Sequence, residues 1–268
     1  AFCQKLLGDI NASYRQYDIL DQNGLILFVM SRFSNLGLKH GPGYFKRIKE
    51  LADAWQTANN ENISISDICN YDSELYTLLC NLRDILSRAG YMDFSYAVRL
   101  AVDELNQIDK KTGSEIEKYD YLFVDEYQDI NPIQEEFIKT FSSFMKMLFV
   151  VGDDDQAIYG WRGANVQNIL TFKDRYDNVS VHKLLVNFRS TKAIVETANI
   201  FVQSTLNYER LPKDITSHFD GNIQDLRKLW FENREDEAKW IAQRIQSLVG
   251  TTYIEYNPDG TEKARRGL

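Results

Sequence analysis

The chain has 268 residues, 44% hydrophobic and 26% charged, with a formal net charge of −8. That length supports one large domain or two to three small ones. No apolar run approaches the roughly 20 residues that span a bilayer, and the N-terminus does not resemble a secretory signal, so a cytoplasmic protein is expected. Cys3, Cys69 and Cys80 form no CxxC and no close pair, which argues against a disulfide framework or a zinc site and for reduced, structural thiols. Net acidity also argues against a broad phosphate-binding surface. It does not argue against a narrow groove that grips a strand with local charge. Arg32, Lys39, Lys46, Arg47 and Lys49, set against Glu50, form such a patch and read equally well as a solvated helix face.

In chain order, residues 1 to about 114 read as helical. Leu75, Leu78, Leu79, Leu82, Ile85 and Leu86 recur at helical spacing, as do Phe94, Ala97, Val98, Ala101 and Leu105. The polar stretch Gln56–Asp67 reads as a loop between them. From Tyr119 the texture changes: "YLFVDE" and "MLFVVGD" are short apolar runs ending in acids. Such runs suit strands buried on both faces of a parallel sheet, with polar chemistry at their carboxyl ends. The helix between them begins with Asn131 as N-cap, Pro132 in the first turn and Gln134 at the capping-box position. Val179–Leu185 reads as a third strand. A helix capped by Ser190 follows, with Ile194, Ala198, Phe201 and Val202 on one face. A last helix carries Ala238, Ile241, Ile245 and Leu248.

Asp125 and Glu126 directly follow "YLFV", so the sheet holds them at its rim, where ligands of open α/β folds bind. Two adjacent carboxylates there suit a division of labour. One holds Mg²⁺, mostly through water, and the other orients and deprotonates an attacking water. An acidic pair at a strand end is also common without any catalytic role.

The strings "FVDEYQDINPIQ" (Phe123 to Gln134), "VVGDDDQAIYGWRGA" (Val150 to Ala164) and "LLVNFRS" (Leu184 to Ser190) resemble three successive signature motifs of superfamily 1 DNA helicases of the UvrD/Rep type. Weaker echoes lie in "YMDFSYAV", "NYERLPK" and "EDEAKWIAQRI". The resemblance implies an α/β fold: part of a RecA-like P-loop NTPase parallel sheet with an inserted helical accessory domain. The implied division is 1–114 as accessory domain, 115–186 as the later part of the first RecA-like domain, and 187–268 as the opening of the second.

It also implies roles. Asp125 helps hold Mg²⁺, Glu126 is the general base for ATP hydrolysis, and Gln156 senses the γ-phosphate with an amide that both donates and accepts. Tyr159 and Trp161 face single-stranded DNA, where a ring stacked on a base contributes about 1–3 kcal/mol without reading sequence. For an arbitrary Trp, core packing is the commoner fate. Arg162 either contacts the strand or braces the acids. Of Asp153, Asp154 and Asp155, one or two carboxylates brace local backbone or pair with arginine. Arg189 acts as an arginine finger, and Phe188, where the family usually has tyrosine, stacks on adenine without the hydroxyl's hydrogen bond. The family further implies 3′ to 5′ travel on single-stranded DNA, engagement of single/double-strand junctions, and no membrane partner.

The glycine-rich loop GxxxxGK[ST] that such an ATPase needs does not occur in these 268 residues, and "GLKHGPG" (Gly37 to Gly43) fits neither its spacing nor its context. An internal piece of a longer helicase is therefore expected, one that alone hydrolyses little ATP. Its sheet is expected to be short of a strand, with apolar edges exposed. The alternative is a non-catalytic nucleic-acid-binding or interaction module on a helicase scaffold. An unrelated Mg²⁺ phosphohydrolase explains "DEYQD" but leaves "IYGWRGA" and "NFRS" without a purpose.

Overall fold

The computed structural model describes residues 2–38, 41–108, 119–160, 163–205, 210–220, 226–256 and 261–266. The chain divides into two units, Ala1–Asn178 and Val179–Leu268. The first runs α1 (Phe2–Ile10), β1 (Asp18–Leu20), α2 (Gln22–Ser31), α3 (Tyr44–Asn60), α4 (Ile65–Ile68), α5 (Ser73–Ala89), β2 (Tyr91–Asp93) and α6 (Phe94–Gln107). It continues through β3 (Tyr121–Val124), α7 (Pro132–Ser142), β4 (Met147–Val150), α8 (Gln167–Leu170) and α9 (Phe172–Arg175).

The helices start where the side chains allow. Asp21, Asp72 and Asp93 cap α2, α5 and α6 by accepting backbone N–H bonds from Gly24, Leu75 and Tyr96. α5 stops at Gly90, whose φ of 72° is the left-handed conformation that glycine adopts most readily. Leu79, Leu82 and Leu86 of α5 and Ala97, Ala101 and Leu105 of α6 are buried, as their spacing predicts. Both faces belong to one core cluster that also contains Trp55, Tyr127, Ile133 and Phe141.

Two expectations fail in this helical stretch. Gln56–Asp67 is not a single loop: α3 continues to Asn60, and α4 occupies Ile65–Ile68. Within the helical part of the polar run Ala58 and Asn59 are buried, and Asn59 donates its side-chain amide to the carbonyl of Trp55 one turn earlier. In addition, β1 and β2 form a short parallel pair with Asp18 opposite Tyr91 and Leu20 opposite Asp93. Three residues are too few for a periodic signal.

β3 and β4 lie where their apolar runs predict, in parallel register from Tyr121↔Met147 to Val124↔Val150, with α7 between them in sequence. α7 opens as expected. Pro132 occupies the first turn, while Asn131 and Gln134 each accept a backbone N–H from the other's residue in a capping box. The strands, however, are not buried on both faces. Leu122, Val124, Leu148 and Val150 pack against the core; Tyr121, Phe123, Met147 and Phe149 on the other face are exposed, Phe123 to 68%. The exposed rings touch one another, Phe123 and Phe149 with centroids 5.7 Å apart. The sheet is two-stranded among the described residues, so only one face has a layer of this unit against it.

The second unit contains β5 (Val186–Thr191), α10 (Lys192–Thr205), β6 (Thr216–Phe219), α11 (Arg234–Leu248), β7 (Thr252–Tyr256) and β8 (Glu262–Arg266). β5 and β6 are parallel, joined through α10 in the crossover that parallel pairing demands; β7 and β8 are antiparallel. The expected strand at Val179–Leu185 is irregular chain, and the strand falls on "VNFRST" instead. Ser190 is consequently a strand residue and not a helix cap: its N–H goes to Asn187 Oδ1 and its carbonyl accepts from Ser217.

The faces of α10 and α11 also differ from their patterns. α10 buries Ala193 and Val195 and leaves Ile194, Ala198 and Phe201 exposed. α11, capped by Asn233 and led by three acids in its first turn, as the helix dipole favours, buries none of its residues. The fold is thus mixed α/β with short parallel sheets. Among the described residues, no helix is long and apolar enough to cross a membrane. The three cysteines are free, and burial pushes the Cys3 thiol up to about 11.

Candidate functional site

The carboxyl ends of β3 and β4 lead into adjoining loops that the backbone itself holds together. The Val151 N–H donates to the Val124 carbonyl at 2.8 Å, and the Tyr127 N–H to the Val151 carbonyl at 2.9 Å, so the parallel ladder runs past the strand ends. Between these bonds the chain turns at Glu126, which adopts φ 50°, ψ 43°. A left-handed conformation is rare for a non-glycine residue and persists where surroundings enforce it. Two surroundings are visible. Asp125 Oδ1 accepts the Glu126 N–H at 2.9 Å, and Gln128 Nε2 donates to Glu126 Oε2 at 2.8 Å.

Gln128 carries the connection further. Its side chain, 1% exposed, accepts the Asp153 N–H on Oε1 at 3.0 Å, so one buried amide ties the Glu126 carboxylate to the loop after β4. Gly152 makes this approach possible: a Cβ there would stand 2.7 Å from Gln128 Oε1 and 2.8 Å from Ile169 Cδ1. In the loop, Asp153 braces the chain as expected, accepting from the Asp155 N–H at 3.2 Å and from Gln156 Nε2 at 2.8 Å. The result is an open cleft of about 450 Å³ lined by Glu126, Gln128, Asp129, Asp155, Gln156, Ile158 and Tyr159.

The cleft rests on a buried polar network. The fully buried Tyr127 donates its hydroxyl to Glu135 Oε2, and Arg175 pairs with Glu135 Oε1 and donates to the Asn168 carbonyl. Tyr176 adds a 3.0 Å bond to the same carboxylate. Burial, reinforced by the Glu135 carboxylate, pushes the Tyr127 and Tyr176 hydroxyls well above the ordinary phenol range. Burial works against the Arg175 charge, yet Glu135 and Tyr127 outweigh it and hold the guanidinium above its usual value. The network fastens the first motif to α7 and α9.

Of the residues singled out from the sequence, the structure brings Glu126, Gln156 and Tyr159 onto one cleft; Asp125, next to Glu126 in the chain, is exposed and is not among the residues that line it. Trp161 and Arg162 lie outside the described residues, as do Lys39 and residues 207–209 of "NYERLPK". Phe188 and Arg189 are exposed on β5 in the second unit. Asn187 Oδ1 accepts the N–H groups of Arg189 and Ser190 at 2.8 and 2.7 Å. This turn interrupts the strand's alternation, so that two consecutive side chains face outward. Within the basic stretch, Lys46 pairs with Glu50 at 3.6 Å and Arg47 donates to the Pro42 carbonyl, which is how a solvated helix face behaves.

Sequence reasoning missed Gln128, Gly152, Glu135 and Arg175. A glycine directly after a buried strand run was a usable sign of close backbone approach. Arg175 had none, since its partner Glu135 is 40 residues away.

Residues 2–177 match the model of the UvrD/REP helicase N-terminal domain, and residues 182–259 that of the UvrD-like helicase C-terminal domain. The chain belongs to the UvrD/REP helicase family. Among its relatives are proteins named ATP-dependent DNA helicase PcrA. That of Leuconostoc citreum is 31% identical over 254 residues, covering 95% of this chain and 30% of the relative. That of Staphylococcus aureus is 31% identical over 240 residues, covering 88% and 32%. A Staphylococcus epidermidis relative is 36% identical over 161 residues, 60% of this chain and 22% of its own length. The chain thus spans about a third or less of the curated relatives it matches.

The relatives are named ATP-dependent helicases, and the residues at the cleft can be tested against the Mg²⁺ that the motif resemblance leads one to expect. Among the described residues, no three His, Cys, Asp or Glu side chains gather to hold a metal unaided. Mg²⁺ keeps several waters and takes one or two carboxylates together with substrate phosphates. Asp125, exposed and with one oxygen on the Glu126 N–H, fits as such a ligand.

Proposed function

We propose that this chain supplies the hydrolysis-sensing and strand-contacting part of an ATP-dependent DNA helicase, one that moves 3′ to 5′ on single-stranded DNA and opens duplexes at single/double-strand junctions in cytoplasmic DNA repair or replication. In this reading residues 1–114 are the helical accessory domain, 115–186 the later part of the first RecA-like ATPase domain, and 187–268 the opening of the second. One observation supports it above the rest: Glu126, Gln156 and Tyr159 line a single cleft, so a phosphate-facing pair and a base-facing ring stand on two adjoining, braced loops.

Glu126 accepts the proton of the water that attacks the terminal phosphate. Gln128 holds one of its oxygens and leaves the other for that water. Asp125, together with the phosphates, would hold Mg²⁺, which would neutralise charge that develops on the phosphoryl oxygens. Gln156, whose amide donates to Asp153, senses the terminal phosphate of ATP by exchanging that bond for one to the phosphate. That exchange loosens the bracing of the 153–156 turn and resets Tyr159, which with Trp161 and Arg162 stacks and holds unpaired bases. Arg189 acts as an arginine finger and Phe188 stacks on adenine.

The strand-contacting part is testable on the chain as it stands. Anisotropy of a labelled oligothymidylate should report binding, and replacing Tyr159 and Trp161 together by alanine should weaken it at least tenfold, given about 1–3 kcal/mol per stacked ring. Unchanged affinity would remove the basis of the reading. With no GxxxxGK[ST] in these residues, the purified chain should show no DNA-stimulated release of phosphate from ATP. Measurable turnover would mean that phosphates are cradled in another way.

A further inference from the structure

On the outer face of the β5–β6 pair two aromatic rings meet. Asn187 is in register with Ser217, and both are half-buried. The register is irregular beyond this pair, and the residues that follow, Phe188 and His218, come together there. Both are exposed, Phe188 to 63%. Their ring centroids are 4.7 Å apart with the planes 35° from parallel, within the range of favourable aromatic contact.

The pair is held from below. Ser217 Oγ donates to the Ser190 carbonyl at 2.6 Å and accepts the Phe219 N–H at 3.0 Å, locking β6 to the irregular end of β5. The Phe219 ring stands edge-on to His218 at 5.1 Å. An exposed Phe loses little by leaving water, but an exposed Phe backed by a second fixed ring is a flat surface prepared for a third.

We propose that His218 is a binding residue: with Phe188 it forms a two-ring platform for the adenine base of a nucleotide, His218 setting the Phe188 ring so that its free face meets the base. This rests on the reading of Phe188 given above and adds to it a second ring, from a strand outside the signature motif. The stacking needs no phosphate contact, so it is open to test with adenosine, which has none.

The chain has three histidines, so their ring Hε1 signals are resolvable by proton NMR and assignable by substitution. Adenosine titrated into the chain at millimolar concentration should move the His218 signal upfield and leave His182 in place. Phe188→Leu should abolish the movement. His218→Ala should weaken adenosine binding about three- to tenfold, the size of one aromatic contact, while His218→Phe should restore it. Because His218 is exposed, none of these changes disturbs a core.

If His218→Ala binds as wild type while Phe188→Leu does not, the platform is wrong and the role of Phe188 survives. If His218→Phe is as weak as His218→Ala, a polar contact replaces stacking and the proposal falls. If adenosine moves no histidine signal, or moves His182 equally, both the platform and the adenine role of Phe188 fall, with the strand-binding test on Tyr159 and Trp161 unaffected.

Discussion

The two units present family motifs in opposite ways. In the first, "DEYQD" and "GDDDQ" stand on a closed core: Trp55, Tyr127 and Phe141 are fully buried, and the polar groups beneath the cleft bond to one another. In the second, "NFRS" stands on a two-stranded sheet whose unit buries only Ala193 and Val195 among its described apolar residues, with Trp230 90% exposed. Geometry in the first unit is set by tertiary packing, and in the second by a local turn, Asn187 accepting two backbone N–H groups.

The sharpest way to break this comparison is to damage the first core alone. Trp55→Ala removes a fully buried indole and its 2.5 Å bond to Asp93 Oδ2, and should cost about 3–5 kcal/mol. Hydrogen exchange read by mass spectrometry under mild urea should show protection lost in 1–178 and unchanged in 179–268. Equal loss in both would mean that the units fold as one. A smaller effect follows from Arg175→Ala, which strips the Glu135 carboxylate of its cation. Breaking a buried pair costs about 3–5 kcal/mol, but the Arg175 side chain is 30% exposed, so about 2 kcal/mol is expected. The same exchange measurement should show the loss concentrated at α7, α9 and residues 125–129. A uniform loss across the first unit would mean that the network is ordinary packing and does not specifically fasten the motif.

How much of this was legible depended on range. β3, β4 and the capping box of α7 were readable because their causes lie within four residues: continuous apolar runs, and an Asn-Pro-x-Gln sequence whose partners are three apart. Leu79, Leu82 and Leu86 were readable because one face of α5 meets one core. The exposed face of β3–β4 was not, since an apolar run records what a strand can be packed against and not how many layers this unit places there. Val179–Leu185 failed for another reason. Its alternation is genuine, but β6 pairs in register with Val186 and Asn187, and pairing, not propensity, decides where a strand begins. At the site, the acids were picked out by their place directly after an apolar strand run and Gln156 by motif resemblance, whereas Gln128 required seeing that Gly152 lets two loops touch.

The smallest expected effect tests the second unit by what should not happen. α11 carries Ile241, Ile245 and Leu248 on one stripe, a pattern that ordinarily marks a core-facing helix, yet all three are exposed, Ile245 to 59%. If the stripe contacts nothing, Ile245→Gln removes no packing and should change stability by less than about 0.5 kcal/mol, as surface substitutions do. Glutamine also matches or exceeds isoleucine in helix propensity, so the helix itself gives no compensating loss. A change above 1 kcal/mol in the urea midpoint of the chain would therefore have a single meaning. The stripe would be covered in solution, and the contrast between a closed first unit and an open second one would have to be redrawn around whatever covers it.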